Sequence, residues 1–185
     1  MAAFSEIYQF WHTYGSDIQN GAVVVSAITA FIVIRDTRAV SRRRGTLDLI
    51  MHQESDAELI AAREGFTALK NGTTKISSFG VREKRTSDEA QHLKKVINLH
   101  ELTAVAIQEG VIDECVYRRW FNGTYIDDYE ATKDYISAVR SSYGNPKVFS
   151  EFEKTALRWK ADKTWGAPPS FIRRKWDAVR EVLKA

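Results

Sequence analysis

An all-α fold is what the sequence predicts: an N-terminal single transmembrane helix continuing into a cytoplasmic helical bundle. Three observations lead there. Apolar residues recur at three- and four-residue spacing, capping signatures and glycine stops divide that pattern into segments, and no stretch alternates with period two long enough to make a strand.

The first element is the most telling. From Ile18 to Ile34 the chain carries no charge, aromatic residues (Phe4, Tyr8, Phe10, Trp11, Tyr14) precede it, and Arg35, Arg38, Arg42, Arg43 and Arg44 follow. Seventeen residues make about 25 Å of helix, short of the roughly 30 Å hydrocarbon core. Aromatic rings at headgroup level and snorkelling arginines are expected to supply the difference. The first 34 residues hold no Lys or Arg, so the positive-inside rule puts the N-terminus outside and the rest in the cytoplasm, at the inner membrane. A cleaved signal would carry its positive charge before the apolar run, and here the order is reversed. The boundaries follow: 1–17 an extracytoplasmic or interfacial segment, 18–45 the transmembrane helix and its basic border, 46–165 the cytoplasmic helical domain, 166–185 an amphipathic helix.

No Gly or Pro interrupts Arg35 to Arg44, and Leu47, Ile50 and Met51 continue a helical face, so the first helix is expected to reach Gln53. Ser55 with Glu58 forms a capping box for a second helix that ends at Asn71-Gly72. Residues 72–85 are polar and unpatterned, a loop. Thr86 with Glu89 opens a third helix, apolar round more than half its circumference and stopped by Gly110, which makes it the expected centre of the fold. Asp113 caps a short helix through Phe121, and Asn122-Gly123 break it. Thr124 with Asp127 starts another that Gly144 closes. Asn145-Pro146 supplies a cap and first-turn proline for a helix to Lys160, and Ser170 starts the terminal one with Phe171, Trp176, Val179 and Leu183.

Composition limits function. With 27 basic and 24 acidic residues the net charge is +3, and the juxtamembrane arginines account for most of the excess. The remainder is near neutral, unsuited to wrapping nucleic acid, and anionic lipid headgroups are the expected contact of Arg35, Arg38, Arg42, Arg43 and Arg44. A single cysteine, Cys115, excludes an internal disulfide framework. The four histidines lack metal-ligand spacing: His100-Glu101 has no second histidine three residues on, and His92 and His100 are about 12 Å apart along one helix. No metal and no cofactor are expected.

Polar residues inside the apolar pattern are the candidates for chemistry. His100 and Glu101 sit mid-helix, and a buried carboxylate needs a partner. Arg118, Arg119 and Arg158 are the candidate partners, and the expected role is a structural network of Asn98, Glu101, Arg119 and Arg158, with Glu101 and His100 as the weaker catalytic candidates. Asp127 and Asp128 near a helix start complement its dipole. A phosphate loop, a GxSxG elbow and a dinucleotide fingerprint are all absent, which lowers the expectation of an enzyme.

The apolar run followed by SRRRGTLDLI, then NLHELTAVAIQEGVID, VYRRWFNGTYIDDYE and YGNPKVFSEFEKTALRW, resembles a family of bacterial and phage proteins known as a domain of unknown function, number 4760. The likeness covers roughly residues 20–160 and rests on Glu101, Gly110, Asp113, Trp120, Pro146 and Trp159. It implies a small helical protein with an N-terminal membrane segment and transfers no catalytic residues. The function expected is therefore a membrane-anchored protein that binds a macromolecular partner. The alternative is a membrane-tethered hydrolase or nucleotide-processing enzyme using Glu101 with His100 or the Asp127/Asp128 pair. Self-association is a further expectation, since Gly21, Ala22, Ser26 and Ala30 approximate small-residue spacing along the anchor.

Overall fold

The computed structural model describes residues 2–81, 84 and 86–165, with side chains from Gln19 onward. These residues form five α-helices and one short 3-10 helix, with no strand: α1 (Ala2–Ser55), α2 (Ala57–Asn71), the 3-10 helix Ile76–Gly80, α3 (Asp88–Gln108), α4 (Glu114–Tyr143) and α5 (Ser150–Ala161). The terminal helix expected over 166–185 lies outside the described residues.

The caps explain most boundaries. Asp56, one residue past the predicted Ser55, accepts from the Leu59 amide at 2.9 Å, and Ser87, one past Thr86, accepts from Ala90. Asp113 accepts from Val116 as expected, and Gly144 ends α4 in the left-handed conformation at φ 63°.

Two boundaries differ from those the local signals predict. Asn122-Gly123 do not break α4, because Tyr117, Phe121, Tyr125, Tyr129, Thr132, Ile136 and Val139 make one buried stripe through the whole helix. Keeping that stripe in register is worth far more than the roughly 1 kcal/mol that a mid-helix glycine costs. At the other boundary α5 starts at Ser150, because Asn145 Oδ1 instead accepts from the Lys147 amide and holds a turn after Pro146.

Within the expected loop 72–85, the 3-10 helix buries Phe79 and lays Gly80 on α4. A Cβ at Gly80 would stand 2.7 Å from Ala138 Cβ, so only glycine permits this approach.

The core lies between α3, α4 and α5. Leu93, Ile97, Tyr117, Tyr125, Ile136, Phe152 and Trp159 are almost wholly removed from solvent, and α2 covers α3 through Ala62 and Phe66. Only the C-terminal part of α1 joins this core, through Ile50 and the fully buried Thr46 and Gln53.

The join is specific. The Thr46 hydroxyl accepts from the Asp113 amide at 2.7 Å while donating back within α1 to the Arg42 carbonyl at 2.7 Å, and Arg43 Nε lies 3.4 Å from Asp113 Oδ2. The left-handed Gly110, at φ 65°, brings this α3–α4 turn against the Arg42 side chain.

From Gln19 to Gly45, α1 exposes nearly every side chain, and Arg42 and Arg43 at its end meet the α3–α4 turn. Among the described residues, however, no helix is long and apolar enough to cross a membrane. The expected transmembrane helix over residues 18–45 therefore finds no support in the helix itself. The uncharged run is 17 residues and carries the polar Gln19 and Asn20 directly after Ile18, so its continuous apolar part, Gly21 to Ile34, spans only about 21 Å.

Candidate functional site

The residues most capable of chemistry converge where α2, α3, α4 and α5 meet. The apolar face of α3 carries His100 inward, and the buried stripe of α4 does the same for Asp128. His100 Nε2 lies 3.0 Å from Asp128 Oδ2, and Lys70, in the last turn of α2, donates to Asp128 Oδ1 at 2.6 Å. The His100 ring is stacked on Phe152 at 4.9 Å and meets the edge of Tyr125 at 4.7 Å. Tyr125 in turn donates its hydroxyl to the His100 carbonyl at 3.1 Å.

With Nε2 donating to the carboxylate, the buried Nδ1 is left without a hydrogen-bond partner. Burial pushes the Asp128 carboxyl up. The hydrogen bond and charge of His100, with those of Lys70, outweigh that and hold it below the ordinary 3.8. Burial also raises the phenols of Tyr117 and Tyr125, which stay protonated and serve as donors.

A cavity of about 120 Å³ adjoins this cluster, lined by Arg63, Phe66, Thr67, Lys70, His100, Phe121, Thr124 and Asp128. Its two cations are already matched: Lys70 by Asp128, and Arg63 by Glu54 at 2.8 Å and Gln53 at 3.1 Å. Arg63 also lies over the Phe121 ring at 5.3 Å. The arrangement can fasten α2, α3 and α4 together.

Glu101 turns the other way. Its carboxylate accepts from the Phe152 amide at 2.7 Å and the Glu151 amide at 3.4 Å, the first turn of α5. That helix needs an outside acceptor, because its N-cap residue Phe149 is left-handed at φ 56° and offers no side-chain bond. Glu101 is thus a cap supplied by a neighbouring helix.

The other residues predicted for a polar network are not brought to Glu101. Asn98 and Arg119 are exposed, and Arg158 pairs at 2.7 Å with Glu114, which also accepts from the Trp159 indole at 2.6 Å. Asp127 is exposed, one step round the helix from the buried Asp128.

The arginine that does enter the core is Arg118. It donates to Asn122 at 2.8 Å, to Asp162 at 2.7 Å and to the Trp159 carbonyl at 2.8 Å, and lies over Trp165 at 4.2 Å. Hydrogen bonds from Thr164 first, then Arg118, hold the Asp162 carboxyl down at about 2. Spacing carries the signal for Arg118: it stands three and seven residues before Phe121 and Tyr125, on the buried face, and Arg119 does not. Lys70 has no comparable mark, being 58 residues from Asp128.

A second recess, about 400 Å³, runs between Phe79, Ala90, Tyr135, Val139, Val148 and Phe149, with Lys94 and Asn98 at its rim. Among the described residues no group of His, Cys, Asp and Glu could hold a metal ion. Arg35, Arg38 and Arg44 lie exposed along α1, while Arg42 approaches the Gly110 turn and Arg43 approaches Asp113.

The chain matches the family described as "Domain of unknown function (DUF4760)" over residues 18–159, and it belongs to that family. The matched segment takes in the apolar run, the Thr46 join, the His100–Asp128–Lys70 cluster and the Glu101 cap. No curated protein matches the chain, and no solved structure does.

Proposed function

We propose that the protein is a membrane-tethered helical interaction protein, with α1 embedded in the inner membrane and the bundle presented to a macromolecular partner on the cytoplasmic side. One observation carries the reading. Val23, Val24, Val25, Ile28, Phe31, Ile32, Val33 and Ile34 are each 52 to 67 % exposed, all round the helix, with no other part of the described chain covering them. Apolar surface of that extent demands cover, and lipid covers a helix on every side where a single protein partner would cover one.

The shortfall in length is made up by local thinning of the bilayer and by Arg35 and Arg38 snorkelling to phosphate, while Arg42, Arg43 and Arg44 remain near the headgroups. Burial in this way places the N-terminus outside by charge asymmetry. An interaction role is favoured over the enzyme alternative because Glu101 is engaged as a helix cap and Asp128 by His100 and Lys70.

The test is alkaline carbonate extraction of membranes from cells making the full chain. The chain is expected in the pellet, and Val25→Asp with Ile32→Asp should release it. Release of the unsubstituted chain would overturn the tether.

A further inference from the structure

Beyond Ile34 the all-round apolar surface of α1 narrows to one stripe. Val33, Thr37, Val40, Arg44, Leu47 and Met51 alternate four- and three-residue steps, the a/d repeat of a coiled coil. Its apolar members stay open to solvent: Val40 is 47 % exposed, Leu47 51 % and Met51 69 %. The face of α1 that meets the bundle is a different one, carried by Thr46, Ile50 and Gln53. At 100° per residue the two face directions diverge by about 130°. The stripe therefore looks away from the bundle, and a partner helix laid along it would not meet the rest of the chain's own core.

We propose that this stripe joins two copies of the chain in a parallel pair through α1, from Val33 to Met51. Charge selects that occupant. With Val40 and Leu47 at d, Arg43 falls at g and Asp48 at e, so in a parallel, in-register pair Arg43 of each copy faces Asp48 of the other. This is the g-to-e′ contact that sets partner and orientation. Both side chains are available, Arg43 being 64 % exposed with a single 3.4 Å contact to Asp113, and Asp48 exposed. Arg44 at an a position weakens the seam, as a charged residue there does, and in return fixes the register and favours two strands.

The inference rests on the geometry of α1 and not on the tether. In the full chain with Cys115→Ser, Val40→Cys and Leu47→Cys are expected to form disulfide-linked dimers under mild oxidation, in membranes and in detergent. Gly45→Cys, on open surface off the stripe, is expected to give at least tenfold less. Leu47→Glu with Met51→Glu should return the chain to the monomer mass by light scattering. Equal crosslinking at all three positions, none at any, or an unaltered mass in the double variant would each overturn the pair. Release from membranes in carbonate would overturn the tether alone, and the crosslink pattern would still decide the pairing.

Discussion

Replacing Glu101 separates a structural carboxylate from a catalytic one. In the wild-type chain its oxygens receive the Phe152 amide at 2.7 Å and the Glu151 amide at 3.4 Å, at the positive end of α5. A hydrogen bond to a charged group contributes about 1.5–3 kcal/mol, and a carboxylate at a helix N-terminus a further 0.3–1 kcal/mol or so. The second contact is long and Glu101 is half-buried, so Glu101→Ala is expected to cost about 2 kcal/mol. Glu101→Gln, which keeps an acceptor and loses the charge, should cost about half that. For a chain of this size 2 kcal/mol lowers the midpoint of thermal unfolding by about 4–8 °C. The assay is urea and thermal unfolding of the full chain in mild detergent, followed by tryptophan fluorescence, to which the buried Trp159 contributes. An unchanged slope with a lowered midpoint would report lost stability alone. If Glu101→Ala unfolds within about 0.5 kcal/mol of the parent, the capping argument is wrong and the carboxylate is free for another task.

Acid should loosen the centre in a defined window. The Asp128 carboxyl lies below its ordinary 3.8 when folded, so its stabilisation is complete above that value and disappears as pH falls through the lower folded value. Asp128→Asn should cost about 3 kcal/mol at neutral pH by leaving Lys70 and His100 unmatched, and the gap to the parent should shrink as pH falls below the ordinary 3.8; denaturation at stepped pH measures it, and a constant gap would refute the assignment. Gly80→Ala should destabilise by about 1–3 kcal/mol, because the new methyl meets Ala138 at 2.7 Å and the 3-10 helix must lift from α4. The same denaturation series checks it, with Gly45→Ala, mid-helix in open space, as the comparison expected to stabilise by up to about 1 kcal/mol.

How much of the fold is legible in the residues follows from the range of each signal. Helix class, the length of α3 and the stops at Gly110 and Gly144 are local, written in spacing and in residues that tolerate positive φ, and the structure bears them out. The continuity of α4 is hidden, because Gly123 is a local breaker and the stripe that overrides it is a tertiary quantity. His100 and Glu101 stand out as misplaced in an apolar helix, and both prove to be engaged. Their partners are not legible, because neighbours along a helix point in different directions: His100 goes to α4 and Glu101 to α5. The 3-10 helix leaves no mark because a single buried phenylalanine, Phe79, carries no periodicity.

The clasp at Thr46 has a mechanical corollary. Since α1 continues without interruption from the apolar run into the bundle and is pinned there by the Asp113 amide on the Thr46 hydroxyl and by the burial of Ile50 and Gln53, the helix acts as a rigid arm rather than a leash. Some 21 residues separate Ile34 from Ser55, about 32 Å of arm, so a tilt of about 10° at the upper end swings the far end by about 5 Å. Whatever reorients the stem thereby aims the whole bundle.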